Sequence, residues 1–263
     1  MTDFPQWCLA KLPQQGPWQI QPMGEQLSNR TWQISNGQQR YFVKQYFHDL
    51  EFGRDSHAMM AIERFFADLD MAPKLIFVSL LDGLVVYEFL ASNLIDNVPK
   101  VELRIRVLAR ALAGVHHQKP NINTPSLRTR LHAYCDTLEV QKPKDAQRMR
   151  EDLMSYEGLL KKVEHGPTVF CHHDLSMNHV FLTPHLKIID WEYAGYNHPG
   201  VDLAMCVAIN DLYEEEIDWF FEEYNQHAPF PLKREDLPDW LRLVAFVNYL
   251  WFKVQALLEP AEA

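Results

Sequence analysis

Short apolar and aromatic stretches alternate with turn residues over the first ninety positions, a pattern typical of β-strands. Strands are predicted over residues 18–23, 31–35, 40–46, 75–79 and 84–89. The pairs Asn36-Gly37 and Asp82-Gly83 favour tight hairpins. Between the third and fourth strands, apolar residues recur at helical spacing at Ala58, Ile62, Phe65 and Leu69. The predicted order is therefore β-β-β-α-β-β.

Beyond Leu90 the pattern changes to the period of amphipathic helices. Apolar stripes run from Val101 to Val115 and from Ala146 to Val163, and a last helix is predicted over 235–258. Between these helices, short strands are predicted over 168–171, 180–183 and 186–189, with Pro184-His185 as a turn. The composition shifts near residues 90–99. We therefore predict two domains, over 1–90 and 91–263.

Composition narrows the class of protein. Hydrophobic residues make up 47% of the 263 positions and charged residues 23%, which is typical of a globular chain. The net charge of −10 disfavours a nucleic-acid partner. The four cysteines form no CxxC pair, and apolar runs stay short of the roughly 18–20 residues of a membrane span. With no signal-peptide pattern at the start, we expect a cytoplasmic chain with no membrane partner.

Residues 170–204 carry the candidate chemistry. Asp174 and His179 follow the first predicted strand of this segment, and Asp190 ends the hairpin that returns the chain to its start. These three side chains are expected to converge on one point. Two carboxylates and an imidazole suit a divalent cation together with an acid/base group. The histidine spacings HxH and HExxH of metal hydrolases do not occur.

The phrases CHHDL and IDWEYAGYNHPGVDLA resemble the corresponding segments of the choline/ethanolamine kinase, thiamine kinase and aminoglycoside phosphotransferase family. The resemblance implies an α+β, protein-kinase-like two-lobe fold. One lobe would hold a five-stranded antiparallel sheet with one helix, and the other would be mainly helical. It implies ATP- and Mg²⁺-dependent phosphorylation of an alcohol. A protein kinase is disfavoured, because only about a dozen residues separate Asp190 from the next helix.

The same resemblance assigns roles within this segment. Asp174 would receive or orient the proton of the attacking hydroxyl, with His172 holding the catalytic loop in shape. Asp190 would bind Mg²⁺, and Asp202 would brace the loop as structural support. The family usually places an asparagine five residues after the catalytic aspartate as a second metal ligand. Here His179 occupies that position, so His179 is the predicted ligand and the neighbouring Asn178 the alternative.

The nucleotide is expected in the first domain. The turn Leu27-Ser28-Asn29 resembles the phosphate-covering turn of choline kinases, and Lys44 lies on the third strand, where the superfamily places its phosphate-binding lysine. Glu63 is a candidate carboxylate partner for Lys44, with a solvated helix residue as the alternative. Glu88 and Leu90 resemble the hinge whose backbone contacts adenine.

The acceptor is predicted to be a small cationic alcohol, with thiamine and choline leading and an aminoglycoside as the alternative. Asp211 begins an acidic cluster, and Trp251 fits the aromatic region of choline kinases. Carboxylates and aromatic faces together suit an organic cation. A hypothesis of another class is a non-catalytic nucleotide-binding pseudokinase, which the presence of Lys44, Asp174 and Asp190 together disfavours. The oligomeric state stays open.

Overall fold

The computed structural model describes residues 4–14, 16–25, 29–47 and 54–258. Its first lobe contains one antiparallel five-stranded sheet of order β1-β2-β3-β5-β4. The elements are β1 (Gln19–Glu25), β2 (Asn29–Ser35), β3 (Arg40–Tyr46), α1 (Ser56–Asp68), β4 (Leu75–Ser79) and β5 (Leu84–Glu88). The predicted sheet and its helix are confirmed, with strand ends shifted by one or two residues.

Strand β3 places Lys44 at the centre of this sheet, opposite Thr31 of β2 and Val85 of β5. Because side chains alternate along a strand, Lys44 shares a face with Phe42 and Tyr46. That face turns toward α1 and the second lobe. Asp55 caps α1 by accepting hydrogen bonds from the backbone N–H groups of residues 57 and 58.

The opposite face of the sheet is covered by a segment for which no element was predicted. A 3₁₀-helix over Gln6–Lys11 packs its apolar side chains on this face. Phe4 is 7% exposed and meets Trp32 edge to face, with ring centroids 5.5 Å apart. A six-residue 3₁₀-helix is too short for an amphipathic period to be detected in the sequence, so only packing defines it.

The second lobe is mainly helical, as predicted. Its elements are α2 (Val101–His116), α3 (Leu127–Gln141), α4 (Pro143–Ser155), α5 (Glu157–His165), β6 (Val169–Cys171), β7 (Val180–Phe181), β8 (Lys187–Ile188), β9 (Gly195–Asn197), α6 (Pro199–Ile209), α7 (Glu214–His227) and α8 (Leu237–Leu258). Strand β6 pairs with β9, and β7 pairs with β8. All four cysteines are buried and none is bonded to another. In the described part of the chain, no helix is both long and apolar enough to span a membrane.

The apolar stripe predicted from Ala146 to Val163 is divided in the structure. Helix α4 ends and α5 begins at Tyr156, whose backbone lies at φ −97°, ψ 1°. The Tyr156 ring stacks on Phe246 of α8, with centroids 4.4 Å apart. Tertiary packing therefore interrupts a periodicity that continues in the sequence.

Two contacts join the lobes beside the loop that carries the candidate chemistry. Phe66 of α1 stacks on Trp191 of the second lobe, with ring centroids 3.8 Å apart. Lys187 of β8 forms ion pairs with Glu88, at 2.5 Å, and with Asp70, at 3.1 Å. The Lys187–Glu88 ion pair joins the end of β5 to the β7–β8 hairpin, and the Phe66–Trp191 stack joins α1 to the segment after β8.

We expect Phe4→Ala to lower the free energy of unfolding by about 2 kcal/mol, because it removes a buried ring from the covered face of the sheet. Trp7→Ala is the matched control, since Trp7 is 42% exposed. Urea unfolding of both variants measures the difference. Equal losses would show that the segment does not pack on the sheet through Phe4.

His198 makes the stability depend on pH. Its Nδ1 accepts a hydrogen bond from the N–H of Gly200 at 3.0 Å, capping α6, and its ring packs on Trp240. Burial, reinforced by the charge of Lys162, lowers the pKa of His198 to about 4. The unfolded chain, with a histidine pKa of about 6.5, therefore binds this proton first as the pH falls.

The contribution of His198 is present above about pH 6.5 and is lost as the pH falls toward 4. From about pH 7 to pH 5, we expect the free energy of unfolding to fall by about 1–2 kcal/mol more in the wild type than in His198→Asn. Asparagine keeps an N-cap acceptor. His185→Asn is the control on an exposed turn. Parallel pH profiles for wild type and His198→Asn would contradict the assignment.

Candidate active site

The 172–179 loop connects β6 to β7 and holds Asp174 near its centre. His173 at its start and Asp190 after β8 both adopt left-handed backbone conformations, with φ of 65° and 72°. Non-glycine residues rarely adopt this conformation, so surrounding contacts must hold it.

Asp202 of α6 supplies those contacts at the start of the loop. Its carboxylate accepts hydrogen bonds from the backbone N–H groups of His172, at 2.8 Å, and His173, at 2.7 Å. It also meets His116 Nε2 at 2.9 Å, and the other nitrogen of that ring lies 2.7 Å from the Tyr224 hydroxyl. Burial alone would raise the pKa of Asp202, but the His116 hydrogen bond and nearby imidazoles hold it well below its usual range. The location suits the bracing role predicted for Asp202.

The second half of the loop is held by Asn210, at the other end of α6. Its Oδ1 accepts from the N–H of Met177 at 2.8 Å, and its Nδ2 donates to the carbonyl of Leu175 at 3.0 Å. One helix therefore fixes the loop at both ends. The sequence gives no sign of this amide's role, because an asparagine at a helix C-terminus is common for local reasons.

His172 faces the protein interior. Its Nδ1 accepts from the N–H of Asp174 at 3.2 Å, so Nε2 carries the proton and donates to the Ile189 carbonyl at 3.0 Å. Burial, with the nearby His179 ring, lowers the pKa of His172 to about 4, which keeps it neutral. His172 therefore ties the loop to the residue before Asp190, as the predicted shape-holding role requires, and lines neither of the cavities described below.

Asp190 meets Lys44 at the junction of the lobes. The Lys44 ammonium forms an ion pair with Asp190 and lies 3.3 Å from Glu192. Burial would raise the pKa of Asp190, but the Lys44 charge lowers it below its usual range. Glu192 also pairs with Arg54 at 2.9 Å. No role for Glu192 was predicted from the sequence, although this residue lies in the IDWEYAG phrase.

His179, rather than Asn178, faces Asp190. The His179 Nε2 lies 3.6 Å from Asp190 Oδ2, and its Nδ1 lies 2.7 Å from the Asp174 carbonyl. Asn178 is exposed. The geometry favours His179 between the two candidates.

The carboxylates around Asp190 fit a divalent cation. Burial, followed by the charges of Asp190 and Glu192, raises the pKa of Asp174 to about 8. A bound cation would relieve this crowding of negative charge, and oxygen donors are those that Mg²⁺ prefers. Asp190 would supply an oxygen to the ion and His179 a nitrogen, with Glu192 beside them.

A cavity of about 450 Å³ lies between the lobes on the Lys44 side. Its lining includes every residue predicted to bind nucleotide: Asn29, Lys44, Glu63, Glu88 and Leu90. Leu27 and Ser28 of the predicted turn lie outside the described residues. Aromatic and aliphatic side chains form the rest of the wall, among them Phe42, Tyr87, Leu94, Phe181 and Ile189. A flat base with attached phosphates matches this mixture of apolar wall and single ammonium.

Within this cavity, the side chains of Glu63 and Glu88 are both engaged by other groups of the protein. Glu63 is buried, and the Tyr46 hydroxyl donates to it at 3.5 Å; burial raises its pKa to about 7. The carboxylates in ion-pair contact with Lys44 are Asp190 and Glu192. The Glu88 side chain binds Lys187, and its N–H donates to the Lys74 carbonyl. A contact from Glu88 to a base would therefore use its carbonyl.

A second cavity, of about 680 Å³, opens on the other side of Asp190. Asp174, His179, Glu192 and Trp251 line it, and the Trp251 indole donates to the Tyr193 hydroxyl at 2.8 Å. Asp211 is not brought into this cavity. Asp211 is an exposed turn residue with φ of 49°. Because α6 ends at this point, the side chain that contacts the 172–179 loop is that of Asn210 and not that of Asp211. Arg130 and Tyr134 of α3 also line the cavity and were not predicted.

Comparison with known proteins agrees with this arrangement. The architecture is the protein-kinase-like fold, and the chain belongs to the phosphotransferase enzyme family, whose family model matches residues 19–243. Over 181 residues it is 27% identical to ethanolamine kinase 2 of Rattus norvegicus, an alignment covering 59% of this chain and 46% of that protein. The chain thus matches less than half the length of this curated relative.

Two solved structures show the same fold over nearly the whole chain. A choline/ethanolamine kinase family protein from Mesorhizobium loti superposes with a TM-score of 0.72 at 18% identity, covering 98% of this chain and 87% of that one. LicA, a choline kinase from Streptococcus pneumoniae, superposes in its complex with AMP with a TM-score of 0.71 at 18% identity, covering 95% and 88%.

We expect Asp202→Asn to lower the free energy of unfolding by about 3 kcal/mol. The amide would turn a donor toward one of two buried backbone N–H groups and lose the charge that His116 contacts. Asp218→Asn, which affects only an exposed contact with Arg234, is the control. Denaturant unfolding measures both, and a loss below about 1 kcal/mol for Asp202→Asn would exclude the bracing role.

Proposed function

We propose that the protein transfers the γ-phosphoryl group of ATP, with Mg²⁺, to the hydroxyl of a small cationic alcohol, thiamine or choline. The observation that carries the proposal is the position of Asp190, which lines both cavities and pairs with Lys44. A nucleotide in the first cavity and an alcohol in the second would meet at this residue. Transfer between two bound molecules needs such a junction.

In the proposed reaction, the acceptor oxygen attacks the γ-phosphorus while the bond from that phosphorus to the β,γ-bridging oxygen breaks. ADP leaves, and the hydroxyl proton passes to Asp174. Asp174 lines the acceptor cavity and stands five residues before His179 on the braced loop. Lys44 would bind the phosphates on the nucleotide side. The metal ion, held by Asp190 and His179, would neutralise phosphate charge.

The walls of the second cavity support a cationic acceptor. The aromatic side chains of Tyr134, Tyr193, Trp251 and Phe252 line it together with the carboxylate of Asp174. Aromatic faces attract organic cations, and a carboxylate adds charge pairing. The IDWEYAG phrase resembles thiamine kinases and choline kinases about equally, and the similarity to ethanolamine and choline kinases supports choline. A cytoplasmic location, where ATP is available, is part of the proposal.

ADP release with Mg²⁺-ATP tests the reaction against thiamine, choline, ethanolamine and kanamycin. We expect turnover with thiamine or choline, and a loss of 10²- to 10⁴-fold in kcat for Asp174→Asn, since the amide cannot receive the proton. Asp152→Asn, on the exposed face of α4, is the matched control. Undiminished turnover in Asp174→Asn would exclude the assigned mechanism. ATP binding with no turnover on any acceptor would favour the pseudokinase hypothesis.

The metal ligands are tested by replacing each candidate. We expect His179→Ala to raise the Mg²⁺ concentration needed for half-maximal ADP release by about 10-fold or more, because a ligand is lost. Asn178→Ala should leave it unchanged, since that side chain is exposed. The reverse pattern, measured by Mg²⁺ titration at fixed ATP, would move the ligand to Asn178.

A further inference from the structure

The fixed charges around the acceptor cavity are mostly paired with one another. Asp190 pairs with Lys44, and Glu192 pairs with both Lys44 and Arg54. Two acidic or basic side chains of the lining stay outside these pairs: the carboxyl group of Asp174 and the guanidinium of Arg130. Among the described residues, neither lies within ion-pair distance of an opposite charge.

Arg130 projects from the first turn of α3. One of its nitrogens, Nη2, donates to the backbone carbonyl of Tyr193 at 3.0 Å, which fixes the guanidinium at the cavity wall. The residue is partly buried, and it is the only arginine or lysine among the described residues lining this cavity. A guanidinium keeps its charge at any pH at which the protein folds.

We propose that Arg130 is a specificity-determining residue that restricts the acceptor to molecules with a single positive charge. This inference rests on the function proposed above. An acceptor with one cationic group can place it against the aromatic wall, with its hydroxyl at Asp174 and an uncharged part near Arg130. A molecule with three or more cationic groups, filling the same cavity, must bring one of them close to the guanidinium.

The repulsion is large enough to discriminate between acceptors of different charge. Two unit charges about 7 Å apart, at the effective dielectric constant near 20 of a protein surface, repel enough to change an equilibrium by tenfold or more. The hydrogen bond from Arg130 to the Tyr193 carbonyl limits how far the side chain can turn away.

The test compares Arg130→Gln, which removes the charge, with Arg130→Lys, which keeps it. Arg128→Gln is the matched control, because Arg128 lies on the same helix but pairs outside the cavity with Glu157 and Glu164. The probes are choline, thiamine and kanamycin. Binding is measured by calorimetry with a non-hydrolysable ATP analogue and Mg²⁺ present, and ADP release gives kcat/KM.

We expect Arg130→Gln to improve kanamycin binding by tenfold or more relative to choline, while Arg130→Lys and Arg128→Gln keep the wild-type ratio. A general destabilisation of the fold would not change the ratio in Arg130→Gln while leaving it unchanged in Arg130→Lys. An unchanged ratio in Arg130→Gln, or no kanamycin binding in either wild type or Arg130→Gln, would overturn the inference.

A failure of the proposed function can be distinguished from a failure of the Arg130 inference. It would appear as absence of ADP release by the wild-type protein with every acceptor. Because kanamycin binding is measured without turnover, a gain of binding in Arg130→Gln would still support the charge selection in that case.

Discussion

The hydrogen bonds from two consecutive backbone N–H groups to the buried carboxylate of Asp202 are the interaction on which the site depends. They hold His173 in a left-handed conformation, and that conformation sets the direction in which Asp174 leaves β6. A buried carboxylate is unfavourable unless its hydrogen bonds are satisfied. Here the two amides and His116 satisfy it, so the loop and α6 form one rigid unit.

The junction between the lobes is organised around opposite charges. Lys44 comes from the central strand of the first lobe, and Asp190 and Glu192 come from the second. Asp190, in this ion pair, is the residue that lines both the 450 Å³ and the 680 Å³ cavities. The Phe66–Trp191 stack and the Lys187–Glu88 ion pair also hold the lobes around that junction, so Lys44, Asp190 and Glu192 do not hold it alone.

The charge of a residue predicts its place in the site less well than its position in the backbone does. Asp211 and Asn210 are neighbours, yet the turn at the end of α6 directs Asn210 to the loop and leaves Asp211 exposed. Likewise Glu63 was the candidate partner for Lys44, but the carboxylates in contact with Lys44 are those of Asp190 and Glu192. A shift of one residue in a turn is below what periodicity resolves.

The sequence by itself determined the sheet, its helix, the mainly helical character of the second lobe and the segment bearing Asp174 and Asp190, because these follow from local periodicity, turn residues and a long motif, although it predicted neither α3 nor α7. It did not determine the 3₁₀ cover of the sheet, the break at Tyr156, or the roles of Arg130, Glu192 and Asn210. Those depend on contacts between residues far apart in the chain. Only the tertiary structure decides which distant side chain completes a pairing, since packing and burial, not local propensity, select it.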